Sequence, residues 1–167
     1  MTKRILMLMA IFSFQSLFAF SIGKKGEPFV ADGVKWQTMA YADRDIGFEA
    51  SLPGDPHTRL SNGDVFAISK YEDVYYMISC KLATRYSPPP RAELFLQQVK
   101  EANREDNPLD VRLVDLKKPN VKYAVEIVFE DAVFLMLASK NQIYISSVQG
   151  EDFSLAPHFF ESIVITK

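Results

Sequence analysis

The chain has 167 residues, of which 19 are Lys or Arg and 21 are Asp or Glu, and 48% are hydrophobic. That length and balance fit one ordinary domain with a core of its own. The slight acidic excess argues against nucleic acid or an anionic membrane surface as a partner, and no basic stretch exceeds the pairs Lys24-Lys25 and Lys117-Lys118.

The first residues follow the order of a secretory signal. Lys3 and Arg4 form a positive start, and Ile5 to Phe20 is apolar except for Ser13, Gln15 and Ser16. Small residues then allow processing after Ala19 or after Ser21. The alternative, a retained anchor, is disfavoured because the run is shorter than the roughly 20 residues that span a bilayer and holds Gln15. No Cys stands near the processing point to carry a lipid. Residues 1–21 are therefore expected to be a cleaved signal peptide, and the working form an exported domain, periplasmic or extracellular, with no membrane span. Loss of Lys3 and Arg4 from the 19 basic residues leaves 17 against 21 acids, a net charge of −4.

Residues 22–33 hold Gly23, Lys24, Lys25, Gly26 and Pro28 without periodicity and are expected to form a flexible lead-in. From Val34 the pattern alternates. Val34 to Tyr41 and Phe48 to Leu52 are expected strands, the second stopped by Pro53-Gly54-Asp55-Pro56. Asn62-Gly63-Asp64 signals a turn, and Val65–Lys70 and Val74–Leu82 read as a hairpin through Glu72-Asp73.

After Ser87-Pro88-Pro89-Pro90 the period changes. Ala92, Phe95, Leu96, Val99 and Ala102 recur at helical spacing, ending before Asn107-Pro108. Strands resume at Val111–Leu116, Tyr123–Phe129, Ala132–Ala138 and from Ile143. Leu155, Ala156, Phe159, Phe160 and Ile163 then mark a terminal helix with Pro157 in its first turn. Val133-Phe134-Leu135-Met136-Leu137 is apolar on both faces and needs cover on both sides. Two amphipathic helices, one per face, would provide it. The expected architecture for residues 34–167 is thus α+β, an antiparallel sheet between helices, an α/β/α sandwich.

Residues that carry chemistry are few. Asp55, His57 and Asp64 lie in one loop region and could converge on a metal ion or ligand; turn chemistry explains the same Asp, Pro and Gly residues. His158 lies beside Phe159 and Phe160 and reads as a helix-face residue near the core. Cys80 is the sole cysteine. It falls in the row Val74, Tyr76, Ile78, Cys80, Leu82, so a buried structural thiol is expected rather than a reactive one. There is no Gly-x-Ser-x-Gly elbow and no phosphate-cradling glycine loop, and nothing asks for a cofactor. Glu130-Asp131 and Glu151-Asp152 read as solvated turns. Tyr71, Tyr75, Tyr76 and Tyr86 gather near one hairpin, where they either pack on the sheet or offer a binding surface.

Two stretches carry a resemblance. Phe48-Glu49-Ala50-Ser51-Leu52-Pro53-Gly54-Asp55-Pro56 resembles the early strand and Pro-Gly-x-Pro stop of PsbP-like domains. Ala156-Pro157-His158-Phe159-Phe160-Glu161-Ser162-Ile163 is similar to the terminal helix of that group, with Ile163 where an aromatic is commoner. The resemblance spans Trp36 to Ile165. It implies a helix-covered antiparallel sheet used as a non-catalytic binding or assembly module, and no catalytic residues. The resulting expectation is an exported binding or assembly-factor domain whose partner is another protein or a small ligand. The rival readings are a hydrolase or metal-dependent enzyme with a site near His57, and a small-ligand carrier.

Overall fold

The computed structural model describes residues 23–82 and 85–167. The expected signal segment, with Lys3, Arg4, Ala19 and Ser21, lies outside the described residues. Among the described residues, eleven strands form two antiparallel sheets. The smaller holds β1 (Lys24–Ala31), β2 (Val34–Ala42), β3 (Gly47–Pro53) and β11 (Val164–Ile165), in the order β1-β2-β3-β11. The larger holds β4 (His57–Ser61), β5 (Asp64–Tyr71), β6 (Val74–Lys81), β7 (Asp110–Leu113), β8 (Tyr123–Val128), β9 (Ala132–Ala138) and β10 (Ile143–Gln149). Its order is β4-β5-β6-β10-β9-β8-β7. Two α-helices, α1 (Ala92–Ala102) and α2 (Ala156–Ser162), complete the described chain, with a 3-10 turn over Arg104–Asp106.

The hairpins follow from their turn residues. Asp32-Gly33 joins β1 to β2 and Asn62-Gly63 joins β4 to β5, each pair with positive φ at both positions. That is the turn whose twist matches the flanking strands. Helix α1 begins after the three prolines and stops at Asn103, whose side-chain and backbone N–H groups both donate to the Val99 carbonyl.

The main core lies between the sheets. Phe48, Ala50 and Leu52 of β3 meet Val65 and Ala67 of β5, Tyr76, Ile78 and Cys80 of β6, and Leu135, Leu137 and Tyr144 further across. Phe48 stands edge-on to Tyr144 at 6.4 Å between ring centroids. A second core forms on the other face of the large sheet. There Phe95 and Val99 of α1 cover Val125, Ile127, Ala132 and Ala138. Strand β9 is apolar on both faces because it serves both cores: Leu135 and Leu137 point to one, Ala132 and Ala138 to the other.

This corrects the expected α/β/α sandwich. The chain is mostly antiparallel sheet, and the second cover of the large sheet is another sheet, not a helix. The need for two covers is a property of β9. What supplies them depends on which strands share a sheet, and strand periodicity carries no such information. The expected lead-in at residues 22–33 differs as well. Lys24–Ala31 pairs with β2 along its length, around an irregularity between Lys25 and Pro28. Gly26 and Pro28 mask the strand pattern there, and both are tolerated because β1 is an edge. Helix α2 lies beside β3, and the chain leaves it to add β11 to that strand.

Candidate functional site

The residues nominated by sequence do not assemble. Asp55 follows β3 in an exposed turn and pairs with Lys25 at 2.7 Å, which holds its carboxyl below the usual carboxylate range. His57 opens β4 opposite Ile68, and Asp64 opens β5 opposite Ser61 and Lys81. His57 and Asp64 are thus at opposite ends of one hairpin, four strand positions apart, or roughly 13 Å. Burial, then the charge of Arg59, push the His57 imidazole below its ordinary pKa. Among the described residues, no three His, Cys, Asp or Glu side chains are placed to hold a metal ion.

Cys80 faces the main core and is 2% exposed. Its thiol lies 3.9 Å from Gln142 Oε1 and 4.0 Å from the Lys81 carbonyl. Burial pushes its pKa up to about 12, so the nucleophilic thiolate is disfavoured. His158 lies on α2 with its ring 4.2 Å from that of Trp36. The clustered tyrosines divide. Tyr75 is partly exposed with the Lys70 ammonium 5.5 Å above its ring, and Tyr86 packs on Phe95 of α1. Tyr71 and Tyr76 turn elsewhere.

Those two line a cleft of about 180 Å³ at one end of the seam between the sheets, with Val34, Glu72, Val74, Asp152, Ser154 and Leu155. Three segments build it: the start of β2, the β5–β6 turn, and the loop between β10 and α2. The β5–β6 turn is two residues long, so it projects Glu72 at its tip beside Tyr71. Glu72 has a φ of 53°, the left-handed region that Asp32 and Asn62 occupy in the other hairpins. Asp73, its neighbour, pairs with Lys70 at 3.1 Å. Asp152 accepts the Ser154 backbone N–H at 2.8 Å. This bond, with one from the Ser154 hydroxyl, holds the Asp152 carboxyl below the usual range and fixes its position.

Tyr76 is the floor of the cleft. It is 1% exposed and stands edge-on to Phe159 of α2 at 5.7 Å. Burial, followed by the charges of Asp152 and Glu72, pushes its phenol up to about 12, so it stays protonated. The site therefore offers two aromatic rings, two carboxylates and an apolar wall of Val34, Val74 and Leu155. Each part shows in the sequence as something common: a strand tyrosine, a turn acid, a loop acid. Their meeting, across residues 34, 72, 76 and 152, has no local signal.

No protein-family model, no curated protein and no solved structure matches this chain.

Proposed function

We propose that the chain is an exported, non-catalytic binding or assembly module, and that it engages its partner at the cleft between Tyr71, Glu72, Tyr76 and Asp152. The export half of this reading rests on Lys3-Arg4 and the apolar run Ile5 to Phe20. The resemblance of residues 48–56 and 156–163 to PsbP-like domains agrees with a binding role. The observation that carries the reading is the lining of the cleft. Rings beside carboxylates are groups that hold a ligand by contact and charge. The rival enzyme site gains no support, since His57 and Asp64 occupy opposite ends of a hairpin.

Two measurements test the proposal. N-terminal sequencing of the native protein should begin at Phe20 or Ile22; a mature chain that retains Met1 would remove the export half. For the binding half, Leu155→Trp fills the cleft. Capture of a partner from an envelope extract should survive His57→Ala and fail with Leu155→Trp. The reverse pattern would shift the site to the β4 corner and revive the enzyme reading.

A further inference from the structure

We propose that the cleft receives one basic side chain, lysine or arginine, of a partner protein. The inference rests on the binding reading above and names the chemistry that reading leaves open. Four features support it.

Size comes first. Pockets for drug-sized molecules usually measure roughly 300–1,000 Å³, and about 180 Å³ admits a single side chain. Charge is the second. Among the described residues, no lysine or arginine forms an ion pair with Glu72 or Asp152. By contrast, Asp73 beside Glu72 is paired with Lys70, and Asp55 with Lys25. The two carboxylates at the cleft are the ones left for an incoming cation.

The third feature is the phenol of Tyr76, which lines the floor of the cleft and so sets a hydroxyl among the groups that an incoming head can meet. An ammonium or guanidinium N–H can donate to its oxygen, whereas a carboxylate ligand, to which the phenol could itself donate, would face Glu72 and Asp152. The fourth is shape of contact. The methylene stem of Lys or Arg suits Val34, Val74 and Leu155, while its charged head meets the ring of Tyr71 and the acids at the rim.

The test uses the full chain and short capped peptides, acetyl-Gly-Lys-Gly-amide and acetyl-Gly-Arg-Gly-amide. The controls are the same peptide with Nε-acetyl-lysine, and n-butylammonium as a free amine. NMR titration should show saturable shifts at Val34, Val74, Leu155 and the two tyrosine rings with the basic peptides. Glu72→Asn suits the left-handed φ, and Asp152→Asn keeps an acceptor for the Ser154 N–H, so both variants should fold. Each should weaken binding roughly two- to five-fold, the range of a partly exposed ion pair. Equal binding of the acetylated peptide, or no change in the double variant, would overturn the proposal. Butylammonium binding as tightly as the peptides would replace the protein side chain with a free amine. The parent reading fails separately. If envelope-partner capture persists in the double Asn variant but is lost in Leu155→Trp, the cleft binds something other than a cation. If capture survives both, the cleft is not the binding surface.

Discussion

The Ser162 hydroxyl at the end of α2 accepts the backbone N–H of Ser51 in β3 at 2.9 Å, across 111 residues of sequence, and lies 2.7 Å from the Phe159 carbonyl to which it donates. One side chain therefore closes the last turn of the helix and fixes the helix to the small sheet. The neighbouring strand contact is short, since β11 adds only Val164 and Ile165 to β3. We expect Ser162→Ala to leave the N–H of buried Ser51 without its partner and to cost about 1–2 kcal/mol. Urea unfolding should show the lower midpoint with an unchanged slope. A variant as stable as the parent would mean that the hydroxyl is incidental to docking.

The adjacent aromatics of α2 should respond unequally. Phe159 is fully buried between Tyr76 and the core, whereas Phe160 is partly exposed at its edge. Phe159→Ala should cost about 3–5 kcal/mol, a large share of a small domain's stability, and Phe160→Ala clearly less. His158→Ala loses the ring contact with Trp36 at 4.2 Å, so it should lower stability by about 0.5–1.5 kcal/mol. Thermal unfolding of the three variants gives the order directly. Equal melting of the Phe159 and Phe160 variants would contradict this placement of the helix.

The sequence made some of this legible for physical reasons. Period-two alternation placed the strands around Phe48–Leu52 and Val74–Leu82, a continuous apolar run marked Ala132–Ala138, and the proline block set the start of α1. Asn62-Gly63 marked a turn because its residues tolerate positive φ. Strand β4 escaped because His57-Thr58-Arg59-Leu60-Ser61 is an edge with one polar face and only Leu60 apolar on the other, which reads as loop. Strand β1 escaped behind Gly26 and Pro28. With β1 hidden, β2 and β3 read as part of one sheet, and the two-sheet core was lost with them. At the cleft, Tyr76 and Glu72 were visible as a strand tyrosine and a turn acid. Asp152, some eighty residues on, joins them only because β10 pairs antiparallel with β6 and returns the chain to the Val74 end.

Alkaline pH should weaken the fold through its buried thiol and phenols. Burial pushes the Cys80 thiol from 9.0 to about 12, and the Tyr76 and Tyr144 phenols from 10.0 to about 12. A folded-state pKa above the unfolded value means that the folded state holds its proton more tightly. The associated stability is complete below about pH 9 and drains away as pH rises from 9 towards 12, while the unfolded chain ionises first. Urea midpoints at pH 7, 9 and 11 should therefore be flat and then fall. Cys80→Ala removes the lowest of these titrations, so its fall should begin nearer pH 10. The buried position also predicts slow labelling by a thiol reagent in the native protein and fast labelling in denaturant. Cys80→Ser should cost roughly 1–3 kcal/mol through a poorly satisfied buried hydroxyl. Fast native labelling would place the thiol at the surface and remove its share of the pH argument, leaving the two phenols.

Gly150 links the stability of the large sheet to the cleft. It follows the last residue of β10 with a φ of 150°, and its N–H donates to the Asp131 carbonyl at 3.0 Å. A Cβ built there would lie 2.9 Å from Val74 Cγ2 and 3.0 Å from the Asp73 carbonyl oxygen. The first of those neighbours belongs to the apolar wall of the cleft, and the second to the turn that carries Glu72. Any side chain at position 150 must therefore either distort its own backbone or push the β5–β6 turn outward. We expect Gly150→Ala to cost about 1–3 kcal/mol through the strained φ and close contact. It should also weaken cleft binding of a basic peptide, although residue 150 does not line the cleft. Gly63 is the control. Its φ of 81° is also positive, but beyond its chain neighbours no atom of the described residues lies within 4 Å of a Cβ there, so Gly63→Ala should lose stability through strain alone and leave binding intact. Equilibrium unfolding and peptide titration of the two variants separate the effects. If Gly150→Ala and Gly63→Ala changed stability and binding alike, the turn bearing Glu72 would not be held by the β10 terminus, and the cleft would have to be positioned by its other two segments.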